Sequence, residues 1–197
     1  MKPVAVLLWL LTAGVVLSSI GLLVARPWYL RHMAIAELKR HGEIEISEDD
    51  ESVTFSLNDR ERDRETVADL ALLLNRVRCT NLWLDGCENL KDIQCLAQVE
   101  SLRYLFLSDT GVSDVGPLAT LTNLEWLYLD GTGVSDVGPL AALTNLQWLG
   151  LVGTGVSDVG PLAALTNLQG LYLTGTKVPE EQVEALRKKL PRCDIYR

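Results

Sequence analysis

The sequence predicts an α/β solenoid: short parallel strands forming a concave sheet, a 3₁₀ or extended convex side, and one N-terminal transmembrane helix ahead of the array. Three observations lead there. A 22-residue unit recurs back to back, at 121–142 (LTNLEWLYLDGTGVSDVGPLAA) and 143–164 (LTNLQWLGLVGTGVSDVGPLAA), with nineteen of the 22 positions identical. Within each unit the leucines keep one fixed spacing. Residues 3–25 carry no charge at all.

That uncharged stretch is 23 residues long. At about 1.5 Å per helical residue it reaches across a hydrocarbon core roughly 30 Å thick. A membrane span is therefore expected over 3–25, with Arg26, Trp28, Tyr29 and Arg31 as its interfacial flank. A secretory signal is the rival reading, because Lys2 supplies a charged start and Ser19-Ile20-Gly21 loosely resembles a cleavage site. Signal cores, however, usually run only about 7–15 residues. The side of the membrane stays open. Basic residues after the span favour a cytoplasmic C-terminus, whereas the short lead before it is the usual look of an exported chain.

Residues 26–41 read as a short juxtamembrane helix that stops at Gly42. Residues 42–77 read as the polar-edged cap that a stacked array needs at its first end. It holds two strand-like alternations, around Ile44 and Phe55, and a helix with one apolar face from Thr66 to Leu74. The acidic run 48–51 reads as a solvated loop, and the alternating charges of 59–65 must face solvent. Beyond residue 31 the chain carries 15 basic and 26 acidic residues. Such a surface repels phosphate backbones, so nucleic acid is not an expected partner.

From 78 to 178 the spacing L-x-x-L-x-L-x-x-T-x-V recurs. It runs through Leu102, Leu105, Leu107, Thr110 and Val112, and then three more times, beginning at Leu124, Leu146 and Leu168. A degraded first copy, one residue longer, uses Cys79, Leu82, Leu84, Cys87 and Leu90. The chain resembles leucine-rich-repeat proteins in this spacing. The return segment Val134-Ser135-Asp136-Val137-Gly138-Pro139-Leu140 is similar to the 22-residue repeats of internalins and of the phosphatase regulator called SDS22. A charge-free span ahead of a small array also resembles membrane-anchored repeat proteins of planctomycete-type bacteria. Those repeats usually carry Asn where this chain has Thr110, Thr132, Thr154 and Thr176, and a hydroxyl ladder between coils is the expected substitute. Residues 179–197 close the array with a helix, acidic at its start and basic at its end, and a final strand.

Side chains alternate along a strand, so inward Leu127 and Leu129 turn Trp126, Tyr128 and Asp130 outward. Parallel strands lie about 4.7–4.9 Å apart, which predicts two ring columns. One is Tyr104, Trp126 and Trp148. The other is Trp83, Phe106 and Tyr128, with Tyr172 beyond a gap at Gly150. These seven rings and Asp130 are the candidate ligand-binding residues, since exposed aromatic patches mark contact surfaces. A protein or peptide is the expected ligand. A glycan is the alternative, because sugar faces pack on rings, and the resemblance to SDS22 implies a third reading, regulation of a cytoplasmic enzyme. Cross-strand stabilisation alone is the plainer account of the rings.

The recurring Asp114, Asp136 and Asp158 read as turn caps rather than a calcium ladder. The four cysteines fit packing positions and form no C-x-x-C, so neither zinc nor a disulfide framework is expected. No nucleophile elbow, zincin helix or phosphate loop occurs, and the two histidines, His32 and His41, sit near the expected span. The expectation is a single-pass membrane protein that binds a macromolecule, uses no cofactor and catalyses nothing.

Overall fold

The computed structural model describes residues 19–47, 52–57 and 64–197. It divides into two units, Met1–Met33 and Ala34–Arg197. The acidic run 48–51 lies outside the described residues, as does most of the alternating-charge segment. So does the larger part of the expected span, residues 3–18. From Ser19 a single helix, α1 (Ser19–Leu38), runs on through Pro27. This one helix covers the last residues of the expected span and most of the expected juxtamembrane helix 26–41. Among the described residues no helix is long and apolar enough to cross a membrane. Helix α1 also ends before Gly42: the Arg40 and His41 N–H groups bond back to Glu37 and Leu38 at 2.9 Å. Gly42 instead opens the first strand, where a Cβ would clash with the Ser56 carbonyl.

Strands β1 (Gly42–Ile46) and β2 (Val53–Leu57) form an antiparallel hairpin, with Ile44 opposite Phe55. From β2 onward every pairing is parallel and follows chain order, giving one eight-stranded sheet. Its further strands are β3 (Asn81–Trp83), β4 (Tyr104–Phe106), β5 (Trp126–Tyr128), β6 (Trp148–Gly150), β7 (Gly170–Tyr172) and β8 (Asp194–Tyr196). The cap strand β2 thus joins the array as a coil of its own. The middle residues Phe55, Leu82, Leu105, Leu127, Leu149, Leu171 and Ile195 stand in register across the sheet and are buried. No coil can bury its leucines alone, so the core exists only because the coils stack.

Among the described residues, four 3₁₀ turns lie on the opposite side: Gln94–Gln98, Gly116–Thr120, Gly138–Ala142 and Gly160–Ala164. Three of them carry Pro in their first positions, where its missing N–H is not needed. Asp114, Asp136 and Asp158 each accept the N–H of the glycine two residues on, at 2.8 Å. Asp92 does the same for Gln94 in the degraded coil. These are Asx turns, so the carboxylates are committed to setting the turns.

The threonines behave differently from expectation. Thr110, Thr132 and Thr154 are buried, and each hydroxyl donates to the carbonyl three residues back in its own coil, at 2.6–2.7 Å. No rung between coils results, because a hydroxyl on Cβ reaches the near carbonyl before the next coil. The rungs are made at another position. Asn123, Asn145 and Asn167 donate Nδ2 to the carbonyls of Glu100, Thr122 and Thr144 in the preceding coil, at 2.8–2.9 Å.

Both ends of the core are closed. Helix α2 (Arg64–Val77) buries Val67, Leu70, Ala71, Leu74 and Val77, and it outruns the segment 66–74 read from sequence at both ends. Helix α3 (Glu180–Lys189) buries Val183 and Leu186, with two acids in its first turn and three basic residues in its last. That order complements the helix dipole.

Candidate binding surface

The concave face is the outward side of the strands. Rings project from it because the alternation that sends Leu127 inward sends Trp126 and Tyr128 outward. All seven expected rings are there, and in the expected columns. In the first, Tyr104 meets Trp126 edge-on at 5.5 Å, and Trp126 meets Trp148 at 6.0 Å with the planes tilted by 54°. In the second, Trp83 stacks on Phe106 at 3.9 Å and Phe106 on Tyr128 at 5.4 Å.

The gap expected at Gly150 is bridged. Tyr128 and Tyr172 lie 6.5 Å apart across it with their planes 28° apart, and a Cβ on Gly150 would meet Tyr128 at 2.6 Å. Gly170 plays the same part for Trp148, whose ring occupies the space a Cβ would need. The two glycines are seats into which the preceding coil's ring leans. An eighth ring, Tyr196 of β8, extends the second column, stacked on Tyr172 at 4.9 Å. Its signal was available in the alternation around Ile195.

Stacking alters how much of each ring reaches water. Only Trp83, 42% exposed, and Tyr196, 46% exposed, are open. Tyr104, Phe106, Trp126, Tyr128, Trp148 and Tyr172 are half-buried, each shielded by its neighbours. The two tryptophans Trp126 and Trp148, expected to stand wet, are thus partly covered. In the second column the ring faces are turned to one another, and the rings show their edges to the concave side.

Asp130 has a partner within the array. Its Oδ1 accepts the Val152 N–H of the next coil at 2.7 Å, so the carboxylate braces the end of the sheet. Asp85 does likewise for the Ser108 N–H at 2.6 Å. Burial pushes both carboxyls above the ordinary value, the backbone bonds pull them back in part, and repulsion from Asp109 adds to the rise. Burial also raises the Tyr128 phenol, with Tyr172 and Asp130 contributing.

Beside the first ring column runs a polar groove of about 630 Å³, lined by Arg103, Glu125, Gln147 and Gln169 with the rung asparagines behind them. Arg103 is paired with Glu125 at 2.7 Å, and its guanidinium sits 5.5 Å from the Tyr104 ring centre. Gln169 donates to Gln147 at 3.3 Å. Sequence reasoning missed this strip. Its signal was the unvarying Asn of each L-T-N-L and the polar residue two places after it. A smaller apolar pocket of about 300 Å³ opens over β3–β5, walled by Asn81, Trp83, Tyr104, Phe106, Trp126 and Tyr128.

Among the described residues no group of three or more His, Cys, Asp or Glu side chains is placed to hold a metal ion. None of the four cysteines is in a disulfide. Burial pushes the Cys79 thiol up to about 12 and the Cys193 thiol up to about 11, so neither offers a thiolate near neutral pH.

No family model matches the chain, and no curated protein matches it in sequence. Solved structures do. Internalin C2 of Listeria monocytogenes superposes with a TM-score of 0.57 at 27% identity, over 62% of this chain and 54% of that one. A second internalin from the same organism gives 0.54 at 21% identity, over 85% and 54%. A leucine-rich-repeat protein of Leptospira interrogans gives 0.51 at 22%, over 63% and 38%. This chain spans about half the length of the internalins it matches.

Proposed function

From a leucine-rich-repeat array that resembles those of internalins, we infer that the protein is a binding module whose concave face takes a protein or peptide. The observation that carries this reading is the continuous ring floor, two columns deep and bordered by a polar groove. Stabilising a sheet takes only occasional cross-strand pairs, worth roughly 0.2–1 kcal/mol each. A floor of eight rings beside a strip of amide and carboxylate groups has the make-up of a contact surface, apolar at its centre and polar at its rim. Ring edges, more than ring faces, meet the solvent in the second column. Edges suit the grooves between peptide side chains better than the flat face of a sugar, and that favours peptide over glycan.

The uncharged residues 3–25 support a membrane anchor ahead of the array. Carbonate extraction of membranes checks that part. Retention of the chain in the pellet is expected, and release would refute an anchor. Protease access to the array before and after lysis then assigns the side.

The ligand reading is tested by photo-crosslinking in the native host. A benzophenone-bearing amino acid in place of Phe106 should give a discrete adduct with one polypeptide. The same group in place of Ala142, exposed on the 3₁₀ side, should give none. Adducts of equal yield from both positions, or none from Phe106, would refute the concave face as the contact surface.

A further inference from the structure

The two ring columns differ in how their rings meet. In the second, Trp83, Phe106 and Tyr128 stack with planes 16° and 7° apart, which closes the space between them. In the first, Tyr104 meets Trp126 at 73° and Trp126 meets Trp148 at 54°. Rings set at such angles leave clefts between them. The polar groove of about 630 Å³ runs beside this first column. Its two charged residues, Arg103 and Glu125, are paired with each other, and the rest of its lining is Ser, Asn and Gln. An uncharged occupant leaves that pair undisturbed.

Hydrogen-bonding capacity narrows the choice. Beside Trp126 and Trp148 the acceptors are taken and the donors are not. The Glu125 carboxylate accepts from Arg103 and, at 3.4 Å, from the Tyr104 hydroxyl. Gln147 Oε1 accepts from Gln169. Among the described residues, Gln147 Nε2 and the indole N–H groups of Trp126 and Trp148 have no acceptor, yet none of the three is shut off from solvent. A chain that suits them is rich in carbonyl oxygen and poor in N–H, and proline keeps its C=O while lacking the N–H. The polyproline II form also makes no internal hydrogen bonds, so its carbonyls stay available. Its repeat fits as well. Three residues advance about 9.3 Å, against about 9.4–9.8 Å for two coils. Tyr104 and Trp148, two coils apart, would meet equivalent points on successive turns. An extended strand repeats every ~6.8 Å and falls out of step with the coils.

We propose that the polar groove and the first ring column together bind a proline-rich segment in the polyproline II conformation, running across the coils. Its carbonyls accept from Trp126, Trp148 and Gln147, and its pyrrolidine rings enter the clefts between the angled aromatic rings. The stiffness of such a segment keeps the entropy lost on binding small. This rests on the concave-face reading above and names the ligand chemistry.

The test is fluorescence anisotropy of fluorescein-labelled hexaproline, titrated with the full chain in detergent micelles. Its length of about 19 Å crosses the coils that line the groove. A labelled Gly-Ser hexapeptide is the control, with an N–H at every residue and no fixed conformation, and labelled cellohexaose stands for a glycan. Hexaproline should bind saturably and the control peptide at least tenfold more weakly. Trp126→Phe and Trp148→Phe, which keep a ring and remove the donor, should each weaken hexaproline about threefold to tenfold. Gln147→Glu keeps the acceptor that Gln169 uses and replaces the donor with a carboxylate. It should lower affinity roughly tenfold or more while the unfolding midpoint stays near that of the wild type. Equal binding of the two peptides, or no saturable binding of hexaproline, overturns the assignment. So does an affinity unchanged in Gln147→Glu, or unchanged in both tryptophan variants. Binding of cellohexaose without hexaproline would give the groove to a glycan instead. If the Phe106 crosslink persists while hexaproline fails, the ligand class falls and the concave face stands; absence of that crosslink refutes both.

Discussion

Residues 121–142 and 143–164 are two copies of one coil, and their two sides fare differently. On the convex side the copies are built alike. Asp136 and Asp158 accept their turn N–H groups at the same 2.8 Å, and Thr132 and Thr154 donate at 2.6 and 2.7 Å. On the concave side the three differing positions each answer a different neighbour. Glu125 pairs with Arg103, while Gln147 accepts from Gln169. Tyr128 leans over Gly150, and Asp130 reaches the Val152 N–H. The lesson is that the convex Asp and the buried Thr side chains of these copies are spent within their own coil, whereas the concave ones are fitted sideways, coil against coil. Variation on that face is constrained by lateral fit before any ligand arrives.

The largest expected effects lie where the copies should agree. Leu127→Ala and Leu149→Ala remove fully buried side chains from matching positions. Each should cost about 2–5 kcal/mol in chemical denaturation, with the two values close to each other. A large disparity would break the equivalence of the copies. Next come the ring seats. Gly170→Ala should cost about 1–3 kcal/mol through collision with Trp148, and Trp148→Ala in the same chain should recover part of that loss. Gly155→Ala, with only ordinary contacts around its Cβ site, serves as the tolerated control. A double-variant cycle showing no coupling between Gly170 and Trp148 would refute the seat.

Smaller again is the turn carboxylate. Asp136→Ala and Asp158→Ala should each lose ~1 kcal/mol, and by similar amounts. The smallest effects concern charge. Glu125→Gln, which makes the first copy like the second, breaks an exposed ion pair and should cost under about 1 kcal/mol. Asp130 is subtler. Its carboxyl titrates above the ordinary value, so the native state holds that proton more tightly than the unfolded chain. The group therefore adds stability below its unfolded value and loses it as pH rises through the raised native one. Asp130→Asn keeps an acceptor for Val152 and removes the charge. The unfolding midpoint at neutral pH should rise slightly, and the gain on mild acidification should shrink. An unchanged pH profile would contradict the assignment.

Much of this was legible in the sequence because the repeat is a counting device. The leucine spacing alone puts Leu105, Leu127, Leu149 and Leu171 in one buried line, and alternation then puts the rings on the other face. What the sequence left hidden depends on lateral distances. Nothing in the composition says that Thr132 turns back to Leu129 while Asn145 reaches across, because both residue types can bond either way. That Gly150 and Gly170 are seats, and that Asp130 is a brace, follows only once neighbouring coils are known to sit one strand apart. The buried, unpartnered Asn81 Oδ1 is hidden for the same reason: it exists only in the contact between β2 and β3.

The central claim is that the concave rings bind and do not merely hold the sheet. It is tested most directly by combining Trp126→Ala with Trp148→Ala and measuring two quantities on one preparation, affinity for the protein crosslinked through Phe106 and the chemical unfolding midpoint. The account predicts that affinity falls at least tenfold, as for central aromatic anchors, while cooperative unfolding persists with a loss of only a few kcal/mol. Unchanged affinity together with a collapsed or non-cooperative transition would contradict it, and would make the floor a structural device alone.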